Sequence, residues 1–162
     1  MVEKMVEKGL PGLSRCFRGA VKDFNGEGNV LFVGSPFTCL PFAEFLSYSI
    51  RDLPLKAYFM PGTDMSLIRQ IVVNEGFGFQ LGALAESVSK FDIVVLLGGL
   101  ALPKSQVSPS ALKKVLLKVS DLSFVMALFF QGIMKKPEWL EEFRFVYLID
   151  ADISRIVLEE MK

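Results

Sequence analysis

The stretch Asn29-Val-Leu-Phe-Val-Gly-Ser-Pro-Phe-Thr38 decides the fold. Its first half is continuously apolar where a half-exposed strand would alternate, so it reads as a strand covered on both faces. Strands of that kind belong to parallel sheets sandwiched between helices. The run ends in a glycine turn that leads into a helical pattern. A second run behaves the same way: Phe91-Asp-Ile-Val-Val-Leu-Leu-Gly-Gly-Leu100 is apolar through Leu97 and then turns at Gly98-Gly99. In open α/β sheets ligands settle beyond the carboxyl ends of the strands, which is where both glycine turns fall.

Outward from these two strands, the remaining patterns alternate between helix and strand. Leu13, Cys16, Phe17, Ala20, Val21 and Phe24 recur at helical spacing and predict a helix over Leu13–Phe24. After the first strand, about Val30–Val33, a helix begins near Thr38, with Pro41 in its first turn and a stripe of Cys39, Ala43, Leu46 and Ile50. A strand over Leu55–Met60 follows. Thr63 or Asp64 then caps a helix that turns Leu67, Ile68, Ile71 and Val72 inward. Gly76–Gly82 reads as a short strand, Ala83–Lys90 as a short helix and Ile93–Leu97 as the central strand. Ser108-Pro109 opens a helix by cap and first-turn proline. Leu122–Phe130 is a further apolar strand, Pro137 starts a helix to about Phe143, and Phe145–Ile149 and Ala151–Met161 close the chain as strand and helix. The expected fold is a single α/β domain over residues 1–162. It is a three-layer sandwich, Rossmann-like or flavodoxin-like, around a mainly parallel sheet of five or six strands. The strands beginning at Val30 and Ile93 should be adjacent, with their glycines on one edge.

Composition narrows the function. Eighteen basic and eighteen acidic residues cancel, and each half of the chain is separately balanced. No basic patch stands ready to neutralise phosphates, so nucleic acid is not an expected partner. Mean hydropathy is high at +0.42. Yet the longest charge-free stretches, Gly28–Ala43 and Leu122–Met134, are broken by glycine and proline or fall short of the ~20 residues a spanning helix needs. With no signal-peptide core or lipidation motif, the expectation is a cytoplasmic protein with no membrane partner. The apolar excess, including 15 phenylalanines, then predicts a homodimer held by apolar surface. Cys16 and Cys39 read as free thiols.

The strings Phe32-Val-Gly-Ser-Pro-Phe-Thr-Cys-Leu-Pro-Phe-Ala-Glu-Phe-Leu46 and Val94-Val-Leu-Leu-Gly-Gly-Leu-Ala-Leu-Pro103 resemble a family of small archaeal proteins typical of methanogens and their relatives. The resemblance implies a Rossmann-like α/β fold. No activity is established for that family, so it transfers no catalytic residue and no cofactor.

The chemistry available is restricted. The chain contains no histidine, which removes Ser-His-Asp and Cys-His pairs and any His-ligated metal from its own repertoire. The turn Gly34–Thr38 is neither a dinucleotide fingerprint, since Pro36 and Phe37 stand where glycines belong, nor a nucleoside-triphosphate loop. What it offers is a helix N-terminus flanked by the hydroxyls of Ser35 and Thr38, suited to a carboxylate or phosphate. Gly34, Ser35, Thr38, Gly98 and Gly99 are therefore the candidate lining of a site for a small anionic or nucleotide-like ligand. The competing reading makes both glycine turns architectural and the protein a homodimeric interaction module without a small-molecule site. Cys39, in the first turn of its helix, is a candidate thiolate but also belongs to the apolar stripe. Asp64, Asp150 and Asp152 fall at strand ends, where they suit Mg²⁺ or a ribose hydroxyl, or simply cap helices. No metal site is expected.

Overall fold

The computed structural model describes residues 1–88 and 90–161. Seven strands form one sheet: β1 (Gly28–Gly34), β2 (Leu55–Pro61), β3 (Arg69–Asn74), β4 (Gly78–Leu84), β5 (Ile93–Leu97), β6 (Val125–Phe130) and β7 (Phe145–Ala151). Their order is β4-β3-β2-β1-β5-β6-β7. β2, β1, β5, β6 and β7 run parallel, and beyond β2 lies β3, antiparallel to β2, followed by β4, antiparallel to β3. β1 and β5 are adjacent, with Val30 beside Ile93 and Val33 beside Leu96, so their glycines share one edge.

Full apolarity in β1 is answered by full burial. Val30, Leu31, Phe32 and Val33 are inaccessible to solvent and alternate between two cores. Val30 and Phe32 face α1 (Gly9–Lys22) and α2 (Pro36–Ser49), where Phe32 lies 5.7 Å from Phe17, ring centre to ring centre. Leu31 and Val33 share the other core with Leu112 and Leu116 of α3 (Pro109–Leu116) and Trp139 of α4 (Pro137–Glu142). The crossover helix between β1 and β2 thus covers one face, and those leading to β6 and β7 cover the other. Helices change sides where the chain leaves β1 leftward and β5 rightward, which makes the β1–β5 boundary the topological switch point.

Several elements differ from the sequence reading. No helix follows Asp64. Asp64 instead accepts a hydrogen bond from the Ser66 amide at 3.0 Å and caps a single turn, Met65–Leu67, before the chain enters β3. Ile68 and Ile71 are buried as expected, whereas Leu67 is half exposed. The β-branched run Ile71-Val72-Val73 and the glycines that follow it, Gly76 at φ +84° and Gly78 at φ +89°, are the chemistry of a hairpin. This hairpin brings the sheet to seven strands. The helix expected over Ala83–Lys90 is absent at residues 83–88 and at Lys90, and Ser89 lies outside the described residues. No helix forms after Ala151: residues 152–161 have no regular structure. Finally, α2 starts at Pro36, so Thr38 lies inside it and Ser35 is the capping position. Pro41 then stands in the second turn, where it leaves the Phe37 carbonyl without an intrahelical donor.

One surface pair has a pH signature. Arg18 of α1 grips Asp52 through both guanidinium nitrogens, one at 2.8 Å, and its donation lowers the Asp52 carboxyl to about 2. A carboxyl depressed in the folded state adds stability above its unfolded value near 4, and that contribution is lost as the pH falls toward 2. Urea midpoints of the wild type should therefore fall more steeply from pH 4 to pH 2 than those of Asp52→Asn. Parallel curves would remove the pair from the acid response.

Candidate functional site

At the carboxyl edge of β5 and β6 lies a cavity of about 240 Å³. Three segments build it. Thr38, Cys39 and Phe42 come from the start of α2. Leu97, Gly98, Gly99 and Leu102 come from the end of β5 and the 3₁₀ turn Gly98–Ala101 that follows. Leu128, Phe130, Gln131 and Ile133 come from β6 and the turn beyond it. The walls are mainly apolar, with the Phe42 and Phe130 rings 5.1 Å apart, and no charged side chain lines the space. Its polar groups are the Thr38 hydroxyl, the Cys39 thiol, the Gln131 amide and the backbone.

Of the five residues singled out from sequence, Thr38, Gly98 and Gly99 line this cavity, whereas Gly34 and Ser35 do not. The packing says why Gly34 is a glycine. A Cβ there would lie 2.4 Å from Cys39 Cβ and 3.2 Å from Leu97 Cβ. A Cβ on Gly99 would meet Cys39 Sγ at 2.4 Å and Thr38 Oγ1 at 2.8 Å, and one on Gly98 would meet Phe129 Cβ at 2.8 Å. Cys39 is therefore wedged between the two glycine turns, and its sulfur sits 3.7 Å from Thr38 Oγ1. It is 4% exposed and packs with Ala43 and Leu46 in the core, while one side of it borders the cavity. Burial pushes the other thiol, Cys16, above its ordinary range.

The first turn of α2 keeps part of its anion-binding potential. The Cys39 amide donates to the Ser35 carbonyl at 2.9 Å, and the Ser35 side chain makes no capping bond. Within the turn, the amides of Phe37 and Thr38 have no intrahelical acceptor. The three candidate aspartates do not converge. Asp64 caps its turn; Asp150 accepts from the Gly132 amide and pairs with Lys135, each at 2.9 Å or closer; Asp152 is exposed beyond β7. Among the described residues no group of three or more acidic or thiol side chains is placed to hold a metal ion. Nor is any helix of the described residues long and apolar enough to cross a membrane.

The β6 contribution escaped the sequence reading, although a signal for it exists. The run Val125–Phe130 ends in Gln131-Gly132 just as the other two apolar runs end in glycine. Gln131 adopts φ +52° and Gly132 φ +70°, so the chain turns in the left-handed region at the cavity rim. For Gln131, a side chain that seldom takes this conformation, the turn is a local cost held in place by the Gln131 amide, which donates to the Ala151 carbonyl at 2.9 Å.

Fold and cavity together define a doubly wound α/β protein with an apolar recess beside its switch point. The chain belongs to the family described as uncharacterized protein conserved in archaea (DUF2124), which matches residues 8–154. It is 39% identical over 148 residues to an uncharacterized protein of Methanocaldococcus jannaschii, covering 91% of this chain and 88% of that one. An uncharacterized protein of Methanothermobacter thermautotrophicus is 34% identical over 159 residues, with 97% and 99% covered. The crystal structure of a protein of unknown function from Methanothermobacter thermautotrophicus superposes with a TM-score of 0.84 at 33% identity, covering 99% of each chain. The archaeal resemblance and the α/β sandwich inferred from the sequence both hold.

Proposed function

We propose that this protein binds a small molecule in the recess at the carboxyl edge of β5 and β6. The ligand has an apolar body seated between Phe42, Phe130 and Ile133 and one polar or anionic head at the first turn of α2. The observation that carries this reading is the cavity itself, where α2, the turn after β5 and the turn after β6 meet beside the switch point. The glycines do not carry it, because packing against Cys39 accounts for Gly34 and Gly99 without a ligand. The uncharged lining favours one weakly charged head, such as a carboxylate, over a polyphosphate. A nucleotide would have to leave its phosphates at the rim.

Thermal-shift screening of carboxylates, sugar phosphates and nucleotides tests this. A compound present at a hundred times its Kd adds about 2.7 kcal/mol, which for a chain of this size raises Tm by roughly 5–10 °C. Leu102→Trp, which adds bulk at the half-exposed rim, should abolish the shift measured against the same variant without ligand. If no compound class raises Tm, or if Leu102→Trp leaves the shift intact, the reading fails.

A further inference from the structure

The segment after β7 is the least explained part of the molecule. Ile156 is 86% exposed and Leu158 fully exposed, with Ile153, Val157 and Met161 at least half exposed. This is a dense run of aliphatic side chains to leave in water. At 100° per residue Ile153, Ile156, Val157 and Met161 would fall on one side of a helix, interrupted by Glu160, with Leu158 among Asp152, Arg155 and Glu159 on the other. A helix in a folded protein owes most of its stability to packing such a face, and here the face is left half or more exposed, which fits the absence of regular structure over residues 152–161.

The same edge of the molecule carries a second bare apolar surface. Phe37, in the first turn of α2, is 94% exposed, and Leu102 on the cavity rim is 39% exposed. The two surfaces are tied together by Gln131, which lines the cavity. Its backbone amide donates to the Ala151 carbonyl, and its side-chain amide donates to the Ile153 carbonyl at 3.5 Å. These bonds fix the root of the 152–161 segment, through Ile153, beside the cavity rim.

We propose that two copies of this chain exchange these segments, the 152–161 arm of one seating over the Phe37–Leu102 rim of the other and roofing its cavity. Each copy has one donor arm and one acceptor rim, so a two-fold pair satisfies both and closes on itself. At their present exposures, the five apolar side chains of each arm, at roughly 100 Å² each when fully buried, remove roughly 750 Å² from water on the two arms, and the rims they cover add a comparable area. That reaches the size of a specific interface. Asp152, Glu159 and Glu160 set against the single Arg155 make the arm acidic, which suits a neutral protein rim and opposes an anionic lipid surface.

Sedimentation velocity of the full chain at micromolar concentration tests the exchange, and it does so whatever the cavity binds, because mass and ligand-induced Tm are separate readouts. The wild type should sediment as a dimer. Ile156→Asp combined with Leu158→Asp on the arm, and Phe37→Asp on the rim, should each give monomers with unchanged circular dichroism, as all three positions are solvent-exposed in the single chain. An equimolar mixture of the arm and rim variants keeps one intact arm–rim contact and should recover dimers. A monomeric wild type, or a dimer that survives in either variant, overturns the proposal.

Discussion

Phe32→Ala is expected to destabilise the protein by about 3–5 kcal/mol, a large share of the roughly 5–15 kcal/mol that holds a domain together. Phe32 is wholly buried in the middle of the central strand, against Phe17 on one face of the sheet. Its neighbours Val30, Val95 and Leu46 are held by their own strands and helix and cannot collapse into the vacated space. Urea unfolding monitored by circular dichroism reads the change. Phe77→Ala is the control: that ring is 85% exposed in the β3–β4 hairpin, and its loss should move stability by less than about 0.5 kcal/mol. Equal effects at the two positions would mean that β1 is not at the centre of the core.

The second large effect concerns the glycine turns. Gly99→Ala should cost about 2 kcal/mol, because the added methyl meets Cys39 Sγ at 2.4 Å. In a Cys39→Ala background the sulfur is gone while the 2.8 Å approach to Thr38 Oγ1 remains, and the same substitution should cost about 1 kcal/mol less, a coupling of the size seen for residues in contact. Gly34→Ala behaves differently. Its methyl meets Cys39 Cβ, which alanine retains, at 2.4 Å as well as Sγ at 2.8 Å, so Cys39→Ala should give only minor relief and the cost should stay near 3 kcal/mol. Additive behaviour at Gly99 would show that the wedge of Cys39 between the two turns is not what demands glycine there.

The parts of the fold that were legible in the sequence are those where burial is complete. β1 and β5 could be placed side by side because a strand covered on both faces must be apolar at every position, a pattern a surface helix does not share. The Ser108-Pro109 start of α3 was equally plain, and Ser108 does accept a bond from the Ala111 amide. Readings failed where burial is partial. Leu67, Ile68, Ile71 and Val72 fit a helical stripe by spacing, yet Ile68 precedes β3 and Ile71 lies within it, each buried in a different core, so a strand's short amphipathic pattern imitates a helix. The arm after Ala151 has helical spacing but no surface to pack on. At the cavity, Thr38, Gly98 and Gly99 were visible because the ends of parallel strands announce themselves by glycine. Phe42, Leu102 and Ile133 were not, because an apolar side chain facing a cavity reads the same as one facing the core.

The central claim is that the recess between α2 and the ends of β5 and β6 is a ligand site. Crystals soaked with a library of small carboxylates and aromatic fragments test it directly. Bound fragments are expected to cluster between Thr38, Gly98 and Phe130, each with its polar group toward the first turn of α2. Soaks that leave this recess empty while fragments gather elsewhere on the molecule would contradict it.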